Sequence, residues 1–433
     1  MPPRSRQVPP AKARNKQQPS EVALVDVTAL GGLGDGIARL TDGRVVLVPD
    51  AVPGDRLLIE LLPQNRGISR GKIMEVVTPS SHREEPPCPV FARCGGCTWQ
   101  HIALETQHAE KASFLRHALG RTVDVAIAKQ PIEPWRHRRR VRLHLQSDRG
   151  KLVAGMMARA SHDIAPVQDC LVLTEPLSRL LQVLPAVAQP WLKVGELYAV
   201  EGAEGVLLAL HGLPHDFRLM PKAQPLLAEL GVAGLTLSLG RFQDQAGLTE
   251  VTLPETIGEF PIHVDAAGFC QATEGGNRAI RQAVADALEA VGPVARIQEF
   301  FAGSGNLTAL CLNRAPTIRT VERDADAVAR ARVTLTAAPQ VQLFCGDVDE
   351  LVDAAVPGEL WLLDPGRTGA RGVCQQATQG GPAHIIYVSC AMDTLRRDLQ
   401  VLQGAGYTVQ SAVVIDAFPH TPHVEAVVRL HKA

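Results

Sequence analysis

Three cysteines fall within ten residues, Cys88-Pro-Val-Phe-Ala-Arg-Cys94-Gly-Gly-Cys97, and Cys170 follows in PVQDC. Thiolates this close, with Gly95 and Gly96 freeing the backbone, can wrap one face of a metal centre. With Cys170 as fourth ligand the set suits tetrahedral zinc or an iron–sulfur cluster, and spacing leaves both open. A cluster with four protein ligands has no open iron, and the spacing is not CxxxCxxC. That points to a structural or RNA-positioning role rather than to radical chemistry.

A second group lies near the carboxyl end. Cys390 follows the apolar run IIYVS, Asp364 follows WLL, and Glu425 opens the run EAVVRL after Phe418-Pro-His420-Thr-Pro-His423-Val. A thiol at a strand end can act as a nucleophile, and a buried carboxylate beside it can act as a base. His420 and His423 are rival bases, and each of these residues also has a structural reading. Free cysteine titrates near 8.5, so a nucleophilic Cys390 calls for a site that favours thiolate, with Arg367 as one source of positive field.

Glu299-Phe300-Phe301-Ala302-Gly303-Ser304-Gly305-Asn306 follows an apolar run and precedes a helical one. Such glycines let backbone approach a ligand where a strand turns into a helix. Glu322 ends the next strand-like run, where a carboxylate can accept both ribose hydroxyls. Asp347 ends the third, placed to meet an adenine edge, and Asp364 ends the fourth. Thr308 stands where a GxGxxG motif would have its third glycine, which favours S-adenosylmethionine over a dinucleotide.

The densest positive segment is Trp135-Arg-His-Arg138-Arg-Arg140-Val-Arg142. With Val141, Leu143 and Leu145 facing a core, Arg138, Arg140, Arg142 and His144 share the opposite face, suited to phosphate contact beside a stacking Trp135.

These residues need elements to hold them. The chain has 433 residues, 45% apolar and 21% charged, with a formal net charge of −1, which excludes a wholly disordered chain and a generic polyanion binder. Residues 1–20 carry five cations, no acid and five prolines, and read as a disordered basic tail. Residues 21–80 hold short β-rich runs separated by Gly/Asp turns, which predicts a small OB-type barrel. Residues 81–260 mix strands and helices, with a helix over 104–119. From about residue 293 strand, Gly-rich turn and helix alternate, which predicts a doubly wound parallel sheet with Asp364 and Cys390 at its carboxyl edge. There is no run of about 18 apolar residues and no apolar core in the first 20 residues, so neither a membrane span nor a secretory signal is expected. Nine cysteines cannot all pair, which fits a reducing cytoplasm.

Taken together the chain resembles the RNA uracil-5-methyltransferase family, most closely its 23S ribosomal RNA branch. The resemblance covers about residues 20–433 and rests on C-x5-C-GG-C-x2-QH (Cys88 to His101), Cys170, the Arg-rich strand, GFCQ (268–271), AGSGN (302–306), LLDPGRTGARGV (362–373), YVSC (387–390) and FPHTPHVE (418–425). It implies an N-terminal TRAM-like barrel that binds RNA, a central α+β domain over 81–260 with a [4Fe-4S] cluster on Cys88, Cys94, Cys97 and Cys170, and a class I methyltransferase domain over 261–433. It implies S-adenosylmethionine as cofactor, held by Gln271, Phe301, Gly303, Gly305, Asn306, Glu322, Asp347 and Asp364. It makes Cys390 the nucleophile and Glu425 the general base. Phe269, Trp135, Arg138, Arg140, Arg142 and Arg367 are then expected to meet RNA. The family usually has SCNP where this chain reads Ser389-Cys390-Ala391-Met392, FQVN where it reads Cys270-Gln271-Ala272-Thr273, and Pro or Ala at Gly366. The expected activity is uridine C5 methylation by a cytoplasmic monomer with RNA as partner. The alternatives are a transfer RNA substrate or an RNA-binding iron–sulfur protein without catalysis.

Overall fold

The computed structural model describes residues 21–65, 67–120, 123–128, 132–257 and 260–432, so the basic segment 1–20 lies outside the described residues. The chain folds as two compact units, one ending at Arg83 and the other beginning at Glu84.

In the first unit β1 (Val22–Leu30), β2 (Gly36–Arg39), β3 (Val45–Val48), β4 (Arg56–Asn65) and β5 (Ile68–Thr78) close into a barrel in the order β1-β2-β3-β5-β4, with β4 pairing back onto β1. The alternating residues Val25, Val27, Val46, Val48, Leu57 and Ile59 fill its interior. Buried Asp55 accepts from the N–H groups of Val52 and Ser80 and from Arg83. Burial alone would raise its pKa, but Arg83 and these donors hold it below the usual carboxylate value. On the outer surface Arg44 pairs with Asp42 and Arg70 with Asp35.

The second unit opens with the cysteine segment, α1 (Leu104–Ala118) and β6 (Val125–Ile127). Next come β7 (Arg140–Asp148), β8 (Lys151–Met157), β9 (Ile164–Pro166), α2 (Glu175–Ala188), β10 (Leu192–Gly202), β11 (Gly205–Pro214), α3 (Ala223–Leu230), β12 (Gly234–Leu239) and β13 (Phe242–Gly247). The seven strands β7 to β13 form one sheet in the order β13-β12-β11-β10-β7-β8-β9. Val141, Leu143 and Leu145 of β7 pack under Leu177, Leu180, Leu181 and Leu184 of α2. The hairpin of β14 (Val251–Ile257) and β15 (Phe260–Val264) covers Val200, Leu207 and Ala209 on the other side.

The chain then runs through α4 (Glu274–Val291), β16 (Arg296–Phe300), α5 (Thr308–Cys311), β17 (Ile318–Glu322), α6 (Ala325–Thr334), β18 (Val341–Cys345), β19 (Glu359–Leu363), α7 (Arg371–Ala377), β20 (His384–Ser389), α8 (Met392–Gly404), β21 (Tyr407–Ile415) and β22 (Glu425–Lys432). The sheet order is β18-β17-β16-β19-β20-β22-β21-β6, parallel from β18 to β20. All five residues of β19 are buried, as a parallel strand covered on both faces requires. Leu360 and Leu362 face α4, while Trp361 and Leu363 face α1, α7 and α8.

Sequence order and spatial order part company at one place. Residues 104–127 were expected among the central elements, yet α1 packs Ala112 and Leu115 into the core of the last sheet and β6 adds a parallel edge strand to β21. Phe114 of the same helix packs instead on Trp99 of the cysteine segment.

Candidate active site and cysteine cavity

The carboxyl ends of β16, β17, β18 and β19 present the loop 301–307, Glu322, Asp347 and Asp364 along one edge of the last sheet. Cys390 leaves the same edge one residue after β20 ends. Because β22 runs antiparallel to β20, it begins at that edge. Ser389 pairs with Ala426, so Cys390 and Glu425 are the next residues on neighbouring strands. Residues opposite each other in such a pair have Cβ atoms roughly 5 Å apart.

The electrostatics follow from burial. The Glu425 carboxyl is pushed up to about 8 by burial and by nearby Asp364, against the pull of Arg367. Asp364 is raised to about 7 by burial and by Glu322. The Cys390 thiol is pushed up to about 11 by burial and by Glu425 and Asp364, with Arg367 opposing. The expectation of a site that favours thiolate is therefore corrected. Without a bound cation, apolar surroundings and two acidic neighbours outweigh one exposed guanidinium.

Sequence reading gave no role to Glu299, which lies within the glycine motif. It is 1% exposed, one carboxyl oxygen has no hydrogen-bond partner among the described residues, and burial with nearby Asp364 and Glu322 raises it to about 8 against a contact with Thr308. A carboxylate at a strand's carboxyl edge, behind a glycine loop, was the signal that could have found it. Glu299, Glu322, Asp364 and Glu425 thus gather along one edge, where a positively charged ligand would favour the ionised forms of Glu299, Asp364 and Glu425.

The glycine loop is held by short bonds. Phe301, Gly303 and Gly305 all have positive φ, at 65°, 56° and 91°, and the glycines take that conformation without a Cβ clash. Glu322 accepts from the Gly303 N–H at 2.9 Å and from the Asp324 N–H at 2.8 Å, so its carboxylate also shapes the loop. Asn306 exchanges side-chain hydrogen bonds with Asn277 of α4 and accepts from Arg281. Exposed Asp347 accepts from the Asp349 N–H at 2.9 Å. The backbone carbonyl of Gln271 accepts from Arg139 at 3.2 Å, and Thr273 caps α4 through the Gly276 N–H at 3.1 Å.

Asp398 and Tyr387, also missed by sequence reading, anchor the loop bearing Arg367. Asp398 is fully buried and accepts from the Ala370 N–H and the Tyr387 hydroxyl, both at 2.8 Å. The N-cap position of α8, just after Cys390, is Ala391, which supplies no side-chain cap where the family's usual Asn would.

The expected RNA-facing residues are spread over different settings. Phe269 is 74% exposed on a loop that Asp265 caps and Arg330 pins. Arg140 donates to the Ala267 carbonyl of that loop at 3.2 Å. Arg142 makes two bonds to Glu196 and lies over Tyr198. Trp135 stacks on His420, ring centroids 4.0 Å apart. Arg138 precedes the strand rather than sharing its outer face, and its guanidinium lies beside Cys97 and Cys170. His420 is buried and pushed down to about 4 by that burial, whereas His423 is exposed.

Cys88, Cys94, Cys97 and Cys170 line one cavity with Val90, Phe91, Met156, Leu171 and Arg138. Burial, then nearby Cys170 and Cys94, push the Cys97 thiol up to about 11, against Gln100 and Arg138. Among the described residues no three Cys, His, Asp or Glu side chains converge as ligands of one metal ion would.

Comparison with known proteins agrees with the fold. The tRNA (uracil-5-)-methyltransferase family profile matches residues 357–433, which hold Asp364, Cys390 and Glu425. The chain is 32% identical over 436 residues to the 23S rRNA (uracil(1939)-C(5))-methyltransferase RlmD of Pectobacterium atrosepticum, covering 95% of this chain and 94% of that protein. The RlmD protein of Halomonas elongata is 30% identical, covering 99% and 93%. In fold, the chain is similar to the tRNA (uracil-54, C5)-methyltransferase of Pyrococcus abyssi in complex with S-adenosyl-L-homocysteine, with a TM-score of 0.73, 21% identity, and 94% and 99% coverage. The chain belongs to the RNA uracil-C5-methyltransferase family.

Proposed function

We propose that this protein transfers the methyl group of S-adenosylmethionine to C5 of a uridine in 23S ribosomal RNA. The observation that carries the reading is the meeting of a thiol and a buried carboxyl, Cys390 and Glu425, on antiparallel neighbours beside a glycine loop. Uracil C5 is too weak a nucleophile to take a methyl group unaided. Cys390 thiolate adds to C6, and the electron pair of the C5–C6 double bond passes towards C5. C5 takes the electrophilic methyl group of the sulfonium donor as the S–CH3 bond breaks, its electron pair staying on sulfur to leave the neutral thioether S-adenosylhomocysteine. Glu425 carboxylate then removes the C5 proton, the double bond reforms, and the C6–S bond breaks to release Cys390. A carboxyl raised to about 8 is well matched to accept that proton near neutral pH.

In this reading Gln271, the loop from Phe301 to Asn306, Glu322, Asp347 and Asp364 hold the donor, and exposed Phe269 meets the flipped-out base or its neighbour. The barrel of the first unit adds RNA contact, and such binding energy can be used at the reacting centre. The cysteine cavity holds a [4Fe-4S] cluster on Cys88, Cys94, Cys97 and Cys170. Four half-buried thiols around one cavity, beside a buried guanidinium, fit an anionic multi-atom group. A single zinc would draw its sulfurs to roughly 3.8 Å from one another. The role of these residues is to fix the segment around them.

The test is transfer of labelled methyl to ribosomal and transfer RNA lacking the modification. The wild-type protein is expected to form 5-methyluridine in 23S rRNA and Cys390→Ala none. Full activity of Cys390→Ala would remove the mechanism, and methylation of transfer RNA alone would replace the substrate.

A further inference from the structure

The segment that leads into Glu425 carries an unusual backbone. His420 has φ of 66°, a left-handed conformation that a residue with a Cβ adopts only when its surroundings impose it. Both of its backbone groups are held. Its N–H donates to Oε1 of Gln107 at 2.8 Å, and its carbonyl accepts from the N–H groups of Thr98 and Trp99 at 3.0 and 2.9 Å. Gln107 lies on α1, fully buried, and its Nε2 donates to the carbonyls of Trp99 and Ile102 at 3.1 and 2.8 Å. One carboxamide thus joins the strand-entry loop to the segment that begins one residue after Cys97. One turn further along α1, buried Lys111 bonds Asp416 and the carbonyl of Phe418. The loop from Asp416 to His420 is therefore gripped by one face of a helix that belongs, in sequence, to the cysteine region.

We propose that Gln107 is a positioning residue for the general base. This rests on the reading of Glu425 as that base. The carboxamide holds His420 in its left-handed turn, and that turn sets where β22 begins and so where Glu425 stands opposite Cys390. Misplacing a reacting group by about 1 Å can cost on the order of 100-fold in rate. A displaced Glu425 slows proton removal from C5 but not the addition of Cys390 to C6, so the covalent intermediate should persist.

The experiment compares Gln107→Met, apolar and of similar length, Gln107→Glu, which keeps an acceptor for the His420 N–H, and Glu425→Gln. Each is assayed for kcat, for KM of RNA and of S-adenosylmethionine, for RNA covalently bound during turnover on denaturing gels, and for amide exchange of residues 416–424. Gln107→Met should lower kcat about 10- to 100-fold with both KM values within about twofold. It should trap adduct as Glu425→Gln does and speed exchange in the loop, with Gln107→Glu between it and the wild type. Should Gln107→Met fail to fold, Gln107→Glu alone must show adduct and faster exchange. If Glu425→Gln traps adduct while the Gln107 variants turn over normally, lose only binding, or slow without adduct, the positioning role is refuted alone. If Glu425→Gln traps none, the base reading falls, and the positioning role with it.

Discussion

The raised thiol of Cys390 makes a prediction that needs no RNA. A peptide thiol titrating near 8.5 is about one-tenth ionised at pH 7.5, whereas a thiol at about 11 is ionised roughly once in 3,000 molecules. That is about 300-fold less thiolate. The greater basicity of the thiolate recovers roughly tenfold in intrinsic reactivity, leaving an alkylation rate about 30-fold below that of the peptide. The assay is iodoacetamide modification of the unliganded protein as a function of pH, with the Cys390 peptide followed by mass spectrometry. The rate should still be rising at pH 10. S-adenosylmethionine, whose sulfonium adds positive charge, should bring the midpoint down relative to S-adenosylhomocysteine, which shields the site equally but carries no such charge. A midpoint near 8.5 without ligand, or no difference between the two ligands, would refute the electrostatic reasoning.

Three further outcomes follow. Glu299 and Glu425 keep their protons to about 8 and Asp364 to about 7, while the unfolded chain releases them near 4; the folded state then binds more protons and loses stability as pH rises. His137, His420 and His423, each held near 4, act in the opposite sense below 6.5, so the fall should emerge between pH 6.5 and 8 in calorimetry of the unliganded protein, at up to about 1.4 kcal/mol per pH unit for each carboxyl, and Glu299→Gln should flatten it. Ala391→Asn, which restores a cap to α8, should stabilise the protein by about 1 kcal/mol and raise the melting temperature by roughly 1 to 2 °C; an unchanged melting temperature would contradict the capping argument. Protein purified without oxygen should carry iron and sulfide with broad visible absorption, all lost in Cys170→Ser; zinc in a colourless protein would overturn the cluster.

The elements that position the chemistry were legible where local pattern and burial agree. The strands that end at Glu322, just before Asp364 and at Ser389 are almost wholly buried because both faces of the last sheet are covered, and the apolar stretches WLL of β19 and IIYV of β20 are visible without coordinates. The alternation of Val141, Leu143 and Leu145 likewise gave the buried face of β7. Long-range partnership was not legible. Nothing in residues 104–127 announces that they complete the last sheet, and nothing in Gln107 announces that it holds His420, 313 residues away in sequence. The sign of the Cys390 shift was also hidden. It depends on how much water the fold leaves around the thiol and on which of Arg367, Asp364 and Glu425 stand nearest. The arginines show the same limit. Their density predicted an open basic face, but Glu196 pairs with Arg142 and the cysteine cavity takes Arg138, pairings decided by β10 and by Cys170 rather than by the basic segment itself.

The most direct test of the central claim is the identity of the atoms joined during catalysis. Glu425→Gln protein incubated with S-adenosylmethionine and unmodified ribosomal RNA can be digested with protease and nuclease and the cross-linked fragment sequenced by mass spectrometry. The account predicts a peptide containing Cys390 bound to a uridine that already carries the transferred methyl group. A link through any other residue, or methylated RNA released with no link at all, would contradict it.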